Sequence, residues 1–161
     1  TAMTGRGAGL SDAGLKRKVE AIQRAIQLNR PDPQDPLDVL AKVGGFDIAG
    51  LCGVFLGGAL YEVPVLADGF ISTVAALCAV RMAPLADKAL LASHVSAEPA
   101  GRMVLEALQR RPLITAEMRL GEGTGAVAAI PLLDMACAVY QETYTFEEGG
   151  IEPYQPQEGQ P

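Results

Sequence analysis

Residues 118–129 read MRLGEGTGAVAA and set one carboxylate, Glu122, between two glycines, where an apolar run ends and a helical pattern begins. Glycine on both sides strips away cover and lets a ligand approach the backbone. The first turn of the following helix offers free N–H groups and a positive dipole end, a setting that favours the carboxylate a general base requires. A helix-capping acid in an exposed turn fits the same pattern equally well. Arg119 ends the same apolar run, where it could hold an anion or simply be a surface cation. Gly121, Gly123, Thr124 and Gly125 resemble a phosphate-cradling turn ahead of a helix, although a plain tight turn has the same composition.

Other residues able to do chemistry are scattered along the chain. Lys18 lies at the edge of an apolar stripe, placed either to snorkel along it or to reach inward to a phosphate, whereas Arg17 points the opposite way. Asp68 ends an apolar segment and is followed by Gly69; helix capping is its simplest role. His94 and Ser96 stand at the end of another apolar segment, and a structural hydrogen bond is the simplest role for His94. GRGAG at 5–9 lacks the spacing and the preceding strand of a dinucleotide-binding turn. One histidine and three dispersed cysteines (Cys52, Cys78, Cys137), with no CxxC pair, make no conventional metal site.

These residues need elements to position them, and the pattern supplies an alternation. A helix follows Ser11 as N-cap, with Leu10 and Leu15 placed for a hydrophobic staple and Leu15, Val19, Ile22 and Ile26 forming one stripe. NRPDPQDP (29–36) stops it; a second helix is predicted over Pro36–Val43 and a small-residue helix over Asp47–Tyr61. Then come a strand at 63–68, a helix at 72–83 capped by Ser72, and a strand at 89–95. A helix from about Pro99 to Arg110, a third strand at 112–118 and a helix from Thr124 to about Thr143, kinked at Pro131, complete the series. Short apolar strands alternating with helices indicate parallel βαβ units. The expected fold is therefore α/β: a three-layer Rossmann-like domain with a mostly parallel sheet, plus helices from the chain ends. It would occupy residues 1–148, with a mobile tail at 149–161. Ligands in such sheets bind beyond the carboxyl ends of the strands. Here those ends read DGF (68–70), SHVSAEP (93–99) and RLGEGTG (119–125), so three polar clusters fall where a site belongs.

Bulk composition narrows the function classes. A chain of 161 residues suffices for one domain with a core, and a net charge of −6 argues against a surface that tracks nucleic-acid phosphates. An odd set of cysteines inside apolar stretches reads as buried, reduced thiols, and hence as cytoplasmic. The apolar run Ile48–Leu60 is too short to span a bilayer, and the run Gly125–Tyr140 is interrupted by Pro131 and Asp134. The chain opens on Thr1 with no recognisable leader, as a segment of a longer protein would.

Taken together, GRGAGLSDAGLKRK (5–18), DPLDVLAKVGGFDIAGL (35–51), VPVLADGFISTVAAL (63–77), ASHVSAEP (92–99), MRLGEGTGA (118–126) and TFEEGGI (145–151) resemble the nicotinate-nucleotide–dimethylbenzimidazole phosphoribosyltransferases. The blocks run in order through nearly the whole chain. The resemblance implies phosphoribosyl transfer from nicotinate mononucleotide to 5,6-dimethylbenzimidazole, giving α-ribazole 5'-phosphate and nicotinate, in cobalamin biosynthesis. It implies Glu122 as catalytic base, removing the proton from one benzimidazole nitrogen while the other attacks C1′ of the ribose. It also places Lys18, Asp68, Gly69, Ser96, Arg119, Gly121, Gly123 and Thr124 around the mononucleotide, with no metal or cofactor. Members of the family are dimeric and about twice this length, this chain corresponding to their C-terminal half. The segment Ile48–Leu60, rich in glycine and poor in charge, is a candidate for the two-fold interface or for the core. The alternative to an enzyme is a non-catalytic α/β module that binds a nucleotide or phosphate.

Overall fold

A computed structural model describes residues 3–7, 9–152 and 155. Most of the expected tail, residues 153, 154 and 156–161, lies outside them. By contacts the chain divides into two compact units, Thr1–Ala129 and Ile130–Pro161, with the division falling inside the last helix.

In the first unit, helix α1 (Asp12–Asn29) starts where expected, the Ser11 hydroxyl accepting from Gly14 N at 3.2 Å. Its stripe is covered only at the start, since Leu15 and Val19 are half-buried whereas Ile22 and Ile26 are exposed. Asp35 caps α2 (Pro36–Val43) by accepting from Leu37 N and Asp38 N, and Pro36 supplies a φ ready for the first turn. Asp38 then ties the preceding loop to this helix. Its carboxylate accepts from Asp32 N and pairs with Lys42, both at 2.8 Å, and these contacts hold its carboxyl below the usual range.

Helix α3 (Phe46–Leu60) has two unlike faces. Cys52, Phe55 and Gly58 are buried; a side chain at Gly58 would meet Val65 Cγ2 at 2.5 Å and Val63 O at 2.8 Å. On the other face Gly50, Gly53 and Gly57 look into open space, beside exposed Phe46, Val54 and Leu60. The helix is thus core on one side and unpartnered, among the described residues, on the other.

Strands β1 (Val65–Ala67) and β2 (Leu90–Ala92) pair in parallel, Val65 opposite Leu90 and Ala67 opposite Ala92. Between them run α4 (Phe70–Met82) and a 3-10 turn, Pro84–Ala89, which the sequence pattern did not reveal. The core forms where α3 and α4 meet this pair. Ala75, Ala76, Ala79 and Ala86 are buried there with Phe55, Leu90, Val104 and Leu108, small residues letting the helices approach closely.

Three expectations need correction. The third strand at 112–118 is reduced to a single parallel bridge, Ile114 opposite His94, because Glu117 adopts a φ of 49° and breaks the extended run. Pairing nonetheless continues in that direction, with Val95 N donating to Ile114 O and Ala97 N to Met118 O. Ser72 is not the cap of its helix. Gly69 holds that position, and the hydroxyls of Ser72 and Thr73 donate to Gly69 O, at 3.0 and 2.7 Å. The helix expected from Pro99 to Arg110 is shorter, α5 (Gly101–Ala107).

Helix α6 (Thr124–Glu142) runs through Pro131 and Asp134 as one element. Its 19 residues, with a mean hydropathy of 1.3 over an 18-residue window, are long and apolar enough to cross a membrane by length and composition, contrary to the interrupted run read from the sequence. In the second unit, α6 gives way to a turn in which Thr145 N and its hydroxyl both donate to Glu148 at 2.9 Å. Those bonds hold the Glu148 carboxyl below its ordinary value. The cysteines are all free; Cys52 is buried and Cys78 half-buried, but Cys137 is exposed rather than buried.

Candidate active site

A cavity of about 740 Å³ opens beyond the carboxyl ends of β1 and β2. Four stretches meet there: the loop carrying Gly5 and Gly7 with Lys18 of α1, residues 68–72 after β1, the segment from His94 to Glu98 after β2, and residues 119–123 ahead of α6. Of the residues singled out from the sequence, Lys18, Asp68, Gly69, Ser96, Arg119, Gly121, Glu122 and Gly123 all line it. Thr124 does not. Its hydroxyl instead closes the turn by donating to Gly121 O at 2.7 Å.

The backbone explains the two glycines around Glu122. Gly121, Glu122 and Gly123 have φ values of 76°, 58° and 77°, three consecutive residues in the left-handed region. A residue with a Cβ loses roughly 1–2 kcal/mol there, and glycine loses almost nothing. Only Glu122 carries that penalty, and the turn leaves its side chain exposed at the cavity.

Glu122 is not the cap of α6; Asp68 is. Its Oδ2 accepts from Gly123 N at 3.1 Å, and its Oδ1 accepts from Gly125 N at 2.7 Å and Ala126 N at 3.0 Å. The carboxylate of the β1 exit therefore reaches across to neutralise the positive end of α6, not that of its own following helix. This removes the capping alternative for Glu122. It also means that the N–H groups of Gly123, Gly125 and Ala126 are already committed, so the turn is not an empty phosphate cradle.

Behind this contact His94 is buried, 3 % exposed. Ser93 Oγ lies 2.6 Å from Ala67 O and 3.1 Å from His94 Nδ1. A hydroxyl has one proton, and the shorter bond spends it on Ala67 O, so Nδ1 is the donor to Oγ. Asp68 Oδ1 lies 3.9 Å from Nδ1. The structural hydrogen bond expected of His94 is thus present.

Lys18 Nζ donates to Gly5 O at 2.9 Å, pinning the glycine-rich N-terminal loop over the cavity. Ser96 Oγ accepts from Glu98 N at 3.2 Å at the wall of the cavity. Arg119 is exposed at the rim. Sequence reasoning missed Glu98, a further carboxylate facing the cavity. The signal was its neighbour in space rather than in sequence: a Cβ on Gly5 would lie 2.0 Å from Glu98 Oε2. Among the described residues no cluster of three or more His, Cys, Asp or Glu could hold a metal.

The phosphoribosyltransferase family model matches residues 1–151. The chain belongs to this family, that of the nicotinate-nucleotide–dimethylbenzimidazole phosphoribosyltransferases. It is 56% identical over 155 residues to the nicotinate-nucleotide–dimethylbenzimidazole phosphoribosyltransferase of Acetivibrio thermocellus, covering 96% of this chain and 44% of that protein. The enzyme of the same name from Ruminiclostridium cellulolyticum is 53% identical over 156 residues, covering 97% and 44%. Among solved structures, CobT from Thermus thermophilus superposes with a TM-score of 0.82 at 44% identity, over 94% of this chain and 45% of that one. The chain thus spans less than half the length of the phosphoribosyltransferases it matches. The mixed helix–sheet architecture with its small parallel sheet agrees with the CobT fold.

Proposed function

We propose that this chain carries the base-bearing part of a site that transfers phosphoribose from nicotinate mononucleotide to 5,6-dimethylbenzimidazole, giving α-ribazole 5'-phosphate and nicotinate in cobalamin biosynthesis. The observation that carries this reading is Glu122, held on a left-handed turn at the cavity with the capping duty of its helix already taken by Asp68.

The chemistry needs one base. A benzimidazole nitrogen attacks C1′ of the ribose, and the bond from C1′ to the pyridinium nitrogen breaks with its electrons neutralising that nitrogen. Nicotinate therefore leaves without an acid. The second benzimidazole nitrogen gives its proton to Glu122, so the product is a neutral ribazole rather than a benzimidazolium. Displacement from the opposite face converts the β-nucleotide to the α-product. General-base help of this kind is worth roughly 10²–10⁴-fold, and holding the two substrates in line supplies much of the rest. With the N–H groups at the start of α6 engaged by Asp68, the phosphate is assigned to the cations Lys18 and Arg119 with the Ser96 hydroxyl, while Gly69, Gly121 and Gly123 allow close approach.

In the same reading the chain is the C-terminal half of a three-layer Rossmann-like transferase, acting in the cytoplasm as a homodimer. Free cysteines support the compartment, and the open glycine face of α3 supports a helix contact. The test uses a full-length transferase carrying this segment, supplied with both substrates while α-ribazole phosphate is followed. Glu122→Gln is expected to lose roughly 10²–10⁴-fold in kcat; a variant with the parental rate refutes the assignment.

The chain's length, under half that of its relatives, favours a second reading for the segment by itself: a module that binds the mononucleotide without turning it over. Calorimetry of the isolated chain with nicotinate mononucleotide, beside a turnover assay, separates the two, and turnover by the isolated chain excludes the module.

A further inference from the structure

A base on an exposed turn is useful only if the turn is held still. The three left-handed residues at 121–123 lie in no strand, and the first N–H groups of the helix behind them have no acceptor within that helix. Both needs are met by one side chain from another part of the chain, 55 to 58 residues earlier in sequence. We propose that Asp68 is a positioning residue for the transfer: its carboxylate, accepting from Gly123, Gly125 and Ala126, clamps the turn that aims Glu122 and does not itself bind the substrate. This deepens, and rests on, the reading of Glu122 as base.

The clamp has a fixed anvil. Asp68 leaves β1 directly after the buried Ala67, whose carbonyl oxygen holds the Ser93 hydroxyl at 2.6 Å, so the carboxylate projects from the rigid pair of strands. Opposite it the His94 ring fills the space where Gly125 has no side chain, a Cβ there lying 1.8 Å from Nδ1. Gly125 is therefore seated against His94 while its N–H is held by Asp68, and the start of α6 can neither slide nor lift without losing one of them. Two of the three N–H groups go to one oxygen, Oδ1, which fixes the orientation of the carboxylate. A residue in direct contact with substrate would act on binding; this one acts on where Glu122 points.

In a full-length transferase carrying this segment, Asp68→Asn keeps the shape but replaces one acceptor oxygen by a donor facing an N–H. The expected result is a loss of about 10²-fold in kcat with KM for both substrates within about threefold of the parent. In the Glu122→Gln background the same change is expected to cost less than about threefold, since a clamp has nothing left to aim. Equal losses in both backgrounds, or a raised KM for nicotinate mononucleotide with kcat kept, overturn the proposal. Hydrogen exchange gives a readout independent of turnover and needs no variant to fold. In the parent the amides of Gly123, Gly125 and Ala126, which lack helical acceptors, are expected to be protected by about 10²-fold. Exchange at the unprotected rate there overturns the clamp. Parental activity in Glu122→Gln alone refutes the base instead, and leaves the exchange result to decide the clamp by itself.

Discussion

Replacing Gly125 by alanine tests the packing that seats the start of α6. A Cβ at this position lies 1.8 Å from His94 Nδ1, 2.3 Å from Cε1 and 2.8 Å from Cγ, so the collision is with the Nδ1 edge of the ring. The ring has nowhere to go: it is 3 % exposed and held through Nδ1 by Ser93. Overpacking by one carbon typically costs about 1–3 kcal/mol, and an overlap this deep belongs at or above the upper end. Against that, alanine in a helix recovers about 1 kcal/mol relative to glycine. The net expectation is a loss of about 2 kcal/mol, or roughly 4–8 °C in Tm for a protein of this size. Urea unfolding of Gly125→Ala measures it, and the pair Gly125→Ala with His94→Ala identifies its source. If the ring is the obstacle, the second change relieves the first and the two losses are far from additive. Wild-type stability in Gly125→Ala, or simple additivity with His94→Ala, refutes the reasoning.

The outer face of α3 and the thiols give further outcomes. Gly57→Glu places a carboxylate in open space, so the fold should survive; if that face is the two-fold interface, sedimentation should find a dimeric parent and a monomeric variant. A parent that sediments as a monomer at micromolar concentration removes the homodimer. Burial pushes the Cys52 thiol up, with Cys78 adding to it, and burial does the same to Cys78 against the opposing Arg81. Iodoacetamide should therefore reach Cys137 well before either, since the thiolate is the nucleophile. The linked effect on stability has one sign: the folded state keeps protons that the unfolded chain releases, so the urea midpoint should fall as pH rises past 9.0. A midpoint that climbs in that range contradicts the burial argument.

Much of this architecture was legible because local signals and tertiary structure agree. Ser11 and Asp35 cap their helices as their positions require, and Pro36–Val43 is bounded by a proline and a glycine pair that leave little freedom. The polar clusters beyond the strands do converge on one cavity. What failed was in part local backbone conformation and in part dependent on partners distant in sequence. The run at 112–118 has the composition of a strand, but a left-handed Glu117 ends it after one bridge. Ser72 looked like a cap because it precedes an apolar run, yet the helix begins two residues earlier and its hydroxyl turns back to Gly69. Helix capping is the simplest role for Asp68 in the sequence, and the resemblance adds a place at the mononucleotide, but nothing local reveals that it caps a helix more than fifty residues on. Glu98 was passed over for the same reason, its relation to Gly5 existing only in space.

Proton removal by Glu122 from the attacking base is tested most directly by an acceptor with no proton to give. Rates of the parent and of Glu122→Gln, in a full-length transferase carrying this segment, are compared with 5,6-dimethylbenzimidazole and with its N-methyl derivative. With the natural acceptor the ratio of the two enzymes should be roughly 10²–10⁴. With the methylated one, where no N–H remains to be removed, it should shrink to within about tenfold. An equal ratio for both acceptors would mean that Glu122 serves the reaction in some way other than as its base.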